Sequence, residues 1–101
     1  MNAFEQPIKT ITLTLDVLQE KQVLAVESDY IFDALGCRVE KEFVTAFAKL
    51  LTTIESKSHS RVIVVDSAYL NLFPATVVVV PTLGEAHDII EMERIERDLG
   101  F

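Results

Sequence analysis

Residues 61–65 read Arg-Val-Ile-Val-Val and run straight into Asp66. Val62, Ile63, Val64 and Val65 put apolar β-branched side chains on both faces of an extended segment. Such a strand belongs in the interior of a sheet, buried on both faces or close to it. A second run of the same kind, Thr-Val-Val-Val-Val at 76–80, is closed by Pro81, which has no N–H for a sheet ladder. The clearest helix lies at 39–54. There Val39, Phe43, Ala46, Phe47, Leu50, Leu51 and Ile54 recur at spacings of three and four and form one wide apolar stripe. Glu40, Lys41, Glu42, Thr45, Lys49 and Thr53 take the other side. The phenylalanines Phe43 and Phe47 make this stripe the main source of core area. Half of the 101 residues are hydrophobic, enough for one core in a single domain spanning 1–101.

The N-terminal third gives weaker signals. Residues 1–7 form a loose lead-in. Residues 10–17 alternate, with Ile11, Leu13, Leu15 and Val17 on one side and Thr10, Thr12, Thr14 and Asp16 on the other, the period of a half-buried strand. After a polar break at Gln19-Glu20-Lys21, residues 23–26 resume the apolar pattern, which predicts an antiparallel hairpin. Residues 27–38 have no clean period. Tyr30, Ile31, Phe32 and Leu35 are apolar, Asp33 and Gly36 form turns, and the segment is expected to be a connection lying on the core. Its carboxylates Glu27, Asp29 and Asp33 are expected to be a solvated acidic loop. The expected fold is α/β: a two-layer β-β-α-β-β-α domain with a mixed sheet of about four strands and both main helices mainly on one face. The strand at 10–17 would be an edge long enough to invite pairing with another chain.

The last helix opens at Thr82, which with Glu85 makes a capping box, and stops at Gly100. Its apolar residues change face. At about 100° per residue, Leu83, Ala86, Ile89 and Ile90 share one line, while Met92, Ile95 and Leu99 lie nearly opposite. Glu93, Arg94 and Arg97 occupy the line that the first half buries. The expectation is that the first two turns pack on the domain. The last two would project and bury Met92, Ile95 and Leu99 in a partner subunit or elsewhere in the chain. The plainer alternative is an end helix with those three side chains half-exposed.

Sixteen acidic against nine basic residues give a net charge of -7. A polyanionic phosphate backbone would be repelled, so nucleic acid is not an expected partner, whereas basic proteins are favoured. Cys37 is the only cysteine. A lone thiol, no apolar run near the about 18 residues of a membrane span, and an N-terminus without the basic and apolar regions of a signal peptide predict a cytoplasmic protein. His87, Asp88 and Glu91 lie together on the last helix. The spacing is H-D-x-x-E without a second histidine, and a zinc site needs three convergent donors, so no metal is expected. His59 stands in a serine-rich loop. Cys37, between Gly36 and Arg38, has no neighbouring histidine and is expected to be structural. The glycines are scattered, so no phosphate-cradling loop and no cofactor are expected. Asp66-Ser67 follows the interior strand, either as a simple turn or with Ser67 as a phosphorylation point. With no catalytic set, the chain reads as a non-enzymatic module that docks to a protein or forms a homodimer. The alternative is a small ligand-binding or enzymatic domain whose pocket forms at a dimer interface, hinted at only by Cys37, His87 and the acidic loop.

Val79, Val80, Pro81, Thr82, Glu85, Ala86, Met92, Glu93, Ile95, Glu96 and Arg97 form a pattern: an apolar strand, a Pro-Thr corner, a Glu-Ala pair and a helix carrying Met-Glu-x-Ile-Glu-Arg. This pattern resembles the C-terminal end of bacterial STAS-domain proteins of the anti-sigma-factor-antagonist type. The resemblance implies a regulatory protein-interaction function. It also implies that Asp66-Ser67-Ala68-Tyr69-Leu70 stands where that family carries D-S-[SA]-G-L with a phosphorylated serine, with Tyr69 in place of the glycine. A STAS domain also has a helix, a strand and a helix before its final strand, where this chain has only residues 71–75.

Overall fold

The computed structural model describes residues 7–20 and 23–100. The lead-in at 1–6 and the polar break at Lys21 lie outside the described residues. Four strands form one sheet in the order β1-β2-β3-β4: β1 Lys9–Thr12, β2 Tyr30–Asp33, β3 Arg61–Val64 and β4 Val78–Val80. All three pairings are parallel, with Ile11 opposite Phe32, Phe32 opposite Ile63 and Val64 opposite Val80. The helices are α1 Leu15–Gln19, α2 Lys41–Thr53 and α3 Leu83–Asp98. A 3₁₀ helix, Ser67–Leu72, joins β3 to β4.

The expected mixed sheet is therefore corrected to an all-parallel one, and the expected order to a chain in which strands alternate with connections. No hairpin forms among the described residues of 10–26. The alternating run at 10–17 divides at Thr14, whose Oγ1 accepts the Val17 N–H at 3.2 Å and caps α1. Beyond that cap Leu15 and Leu18, three residues apart, face inward along a helix rather than a strand. Residues 23–26 form no strand; Val23 is almost fully exposed. The partner strand is β2, the segment expected to be a connection. Its side chains Tyr30, Ile31 and Phe32 are all buried, so it shows no polar–apolar alternation to read.

The two-layer expectation is also overturned. Tyr30, Phe32, Ile63 and Val65 face a core made with Leu13, Leu18, Phe43, Phe47, Leu50 and Ile54 from α1, α2 and their flanks. Phe47 sits edge-on to Phe32 at 5.2 Å and to Phe73 at 6.3 Å. Ile31, Val62, Val64 and Val80 face the other way, against Ala86 and Ile90 of α3. The sheet is thus covered on both sides, as the doubly apolar run of β3 requires. Topology explains which helix goes where. Crossovers of one hand between sequential neighbours must all lie on one face. The connections through α1, α2 and the 3₁₀ helix do so, with Tyr69, Leu70 and Phe73 packed on the first core. Helix α3 follows the last strand, connects to no further strand among the described residues, and is free to close the opposite face.

Candidate functional site

Helix α3 is started by Thr82, whose Oγ1 accepts the Glu85 N–H at 3.1 Å, and is stopped at Gly100, which adopts a φ of 81°. That positive φ is open to glycine without steric cost, which is why the helix ends there. Ala86 and Ile90 enter the second core, and one turn further on the same line continues with Arg94. The Arg94 side chain is 5% exposed and its Nε donates to Asp29 Oδ2 at 2.7 Å; the Asp29 side chain is 3% exposed. Asp29 Oδ1 accepts the Ser60 N–H at 2.6 Å and faces Arg97 Nη2 at 3.5 Å, while Arg97 Nη1 donates to Ser60 Oγ at 2.9 Å. Asp29 and Ser60 immediately precede β2 and β3. Their buried carboxylate and serine therefore clamp the second half of α3 to the N-terminal ends of the two central strands.

This clamp corrects two expectations. Asp29 is not part of a solvated acidic loop. The last two turns of α3 do not leave the domain either: arginines take over the inward line because a long aliphatic stem can lie along apolar surface while its head reaches a carboxylate. Beside them Arg61 binds the Ser28, Val26 and Ile54 carbonyls at 2.6, 2.7 and 2.8 Å and stacks over Tyr30. Burial draws its pKa below the ordinary guanidinium value, with Arg97 adding to that and Asp29 and Tyr30 opposing it. These arginines are occupied in holding the fold.

With Arg94 and Arg97 turned inward, the outer face of α3 contains no arginine or lysine. Met92, Ile95 and Leu99 lie there in a row, 62%, 47% and 65% exposed. Asp88 continues the row toward the N-terminus, with Glu91 and Asp98 on one flank and Glu85 and Glu96 on the other, all exposed. None of these carboxylates takes part in an ion pair among the described residues. The sequence had placed Met92, Ile95 and Leu99 opposite the buried line, and they are. What the periodicity did not show is that this row is framed entirely by acid, because that depends on where the two arginines point.

The other residues of interest are scattered. The C-terminal edge of the sheet carries Asp33, Asp66, Ser67 and Cys37. Asp33 Oδ1 accepts the Leu35 N–H at 3.0 Å and Asp66 Oδ2 accepts the Gly36 N–H at 3.2 Å, so both carboxylates organise the loop after β2. The Cys37 thiol donates to the Leu13 carbonyl at 3.0 Å. Burial first, then Asp33 and Asp66, raise its pKa above 9.0, the reverse of what a nucleophilic thiolate requires. Ser67 is exposed at the start of the 3₁₀ helix. His87 is exposed on α3, and the His59 Nδ1 lies 2.8 Å from Ser56 Oγ at the far end of the sheet. Among the described residues no group of three or more His, Cys, Asp or Glu side chains is placed to hold a metal ion, and no helix is long and apolar enough to cross a membrane. No family model, no curated protein and no solved structure matches the chain.

Proposed function

We propose that this protein is a non-enzymatic docking module that binds another protein through the outer face of α3. The observation that carries the reading is the exposed row Met92, Ile95 and Leu99 on a helix whose opposite face is fully committed to the core and to Asp29. Scattered exposed apolar residues are ordinary on a protein surface, but a contiguous row on a rigidly seated helix is a helix-in-groove or helix-on-helix surface. The resemblance of the tail sequence to anti-sigma-factor antagonists supports a regulatory role for the module. Ser67, exposed where that resemblance puts a phosphorylated serine, is the proposed point of control. A phosphate there would add negative charge beside Asp66.

The test compares the protein with a Met92→Lys/Ile95→Lys variant. Because both side chains face solvent, the variant should keep its stability to within about 0.5 kcal/mol by urea denaturation. Proteins cross-linked to the parent in an extract of the producing cells should be lost from the variant. An unchanged set of cross-linked proteins, from a variant that is folded, refutes docking through α3.

A further inference from the structure

Resting on that docking reading, we propose that the partner of α3 is a cationic amphipathic helix of a different protein, one apolar stripe flanked by lysine or arginine, and not a second copy of this chain. Three observations converge on it. First, the frame of the row has one sign: Glu85, Asp88, Glu91, Glu96 and Asp98 surround Met92, Ile95 and Leu99. Two such faces laid against each other would bring acid against acid along both flanks, and like-charge juxtaposition across an interface opposes binding. A basic frame meets the same face with complementary charge on both sides.

Second, the frame beyond the first turn is unfavourable to the helix itself. Glu85 with Asp88 and Asp88 with Glu91 are like-charged pairs three residues apart, a spacing that destabilises a helix. Glu96 and Asp98 sit in the last turns, at the negative end of the helix dipole, where cations are the stabilising choice. Arg97, the basic residue of that turn, is directed to Asp29 and Ser60 instead. An external cation would relieve all of these repulsions, which Met92, Ile95 and Leu99 alone cannot do.

Third, the row is short. From Met92 to Leu99 is seven residues, about 10 Å at 1.5 Å per residue, so its apolar contact is far below the ~1,600 Å² of a standard stable interface. A homodimer held by this row alone would be weak. Charge pairing along the frame supplies steering and specificity that the apolar contact lacks. The same sign excludes an anionic lipid surface, which would be repelled.

The probes are three fluorescein-labelled synthetic 18-residue helices with the same leucine stripe and lysine, glutamine or glutamate on the flanks. Each is titrated by fluorescence anisotropy into the whole protein, into Ile95→Lys and into Glu91→Gln/Glu96→Gln, with light scattering on the unmixed proteins. The lysine helix should bind the parent at least about tenfold more tightly than the glutamine helix and lose about tenfold on raising the salt from 50 to 300 mM. It should be weakened by the glutamine pair and lost on Ile95→Lys. If the glutamine or glutamate helix binds as well as the lysine helix and Ile95→Lys abolishes that binding, docking by α3 stands and the cationic partner is refuted. If the parent is a dimer that Ile95→Lys converts to a monomer, the occupant is a second copy and the proposal is overturned in the same way. If the lysine helix binds and Ile95→Lys leaves it unchanged, or no helix binds, both the proposal and the docking surface fail.

Discussion

Replacing Asp29 by alanine tests the central structural claim, that a buried carboxylate and not apolar contact seats the second half of α3. The substitution removes the acceptor of Arg94 Nε, of the Ser60 N–H and of Arg97 Nη2 together. Removing one member of a buried ion pair costs about 3–5 kcal/mol, because the remaining charge stays desolvated. An orphaned buried N–H costs about 1–3 kcal/mol on its own. These losses share one carboxylate and do not add fully. Arg94 Nη2 is already buried with no acceptor among the described residues, so the pair starts below full saturation. The expected loss is about 4 kcal/mol, out of roughly 5–15 kcal/mol for a domain of this size. At about 4–8 °C per kcal/mol, that lowers the melting temperature by about 15–30 °C. Urea denaturation followed by circular dichroism measures it. Asp29→Asn, which keeps an acceptor for the Ser60 N–H, should lose less. Asp29→Ala combined with Arg94→Met should recover at least half of the loss, since apolar replacement of both partners removes the stranded charge. A loss below about 1 kcal/mol for Asp29→Ala, or a double variant no more stable than the single one, refutes the reasoning.

The remaining predictions use the same measurements on other residues. Thr82→Ala should cost about 1 kcal/mol by removing the oxygen that accepts the Glu85 N–H, and Thr82→Ser should restore most of it; equal stability of all three proteins would show that the cap contributes nothing. Cys37 should react slowly with iodoacetamide at neutral pH, with a rate that keeps climbing with pH and levels off only above pH 9.0, since its thiol is held protonated. The same raised pKa makes a stability contribution that is complete below 9.0 and is lost as the pH rises through the folded-state value. An alkylation inflection at or below 9.0 would contradict the placement of that thiol.

Helix α3 shows how a correct sequence pattern can carry a wrong structural consequence. The change of face at Met92 is real, and Met92, Ile95 and Leu99 do lie opposite Ala86 and Ile90. The inference that the helix must therefore leave the domain treated arginine as a surface residue. Arg94 is in fact buried, and its partner Asp29 lies 65 residues earlier in the chain. No local window contains both. Only a stretch of acid ahead of an apolar run, Asp29 before Tyr30-Ile31-Phe32, hinted at a buried carboxylate, and acid ahead of a strand is far more often solvated.

By itself the sequence determined what depends on near neighbours and on side-chain type. It set the helix 39–54 within two residues at each end, the strands beginning at Arg61 and ending at Val80, the Thr82 cap and the Gly100 stop, because spacing and capping are written within one or two turns of chain. The doubly apolar run at 62–65 also called for cover on both faces of the sheet. Tertiary structure alone decided which segments became strands beside it. Residues 10–17 alternate like a strand, yet Thr14 caps a helix there. Tyr30–Asp33 shows no period, yet it is a central strand, because burial on both faces erases the alternation by which a strand is read. Parallel pairing, the face that α3 covers and the acid-framed row it leaves outside follow from contacts between residues 16 to 68 positions apart. Those contacts exist only once the chain has closed on itself.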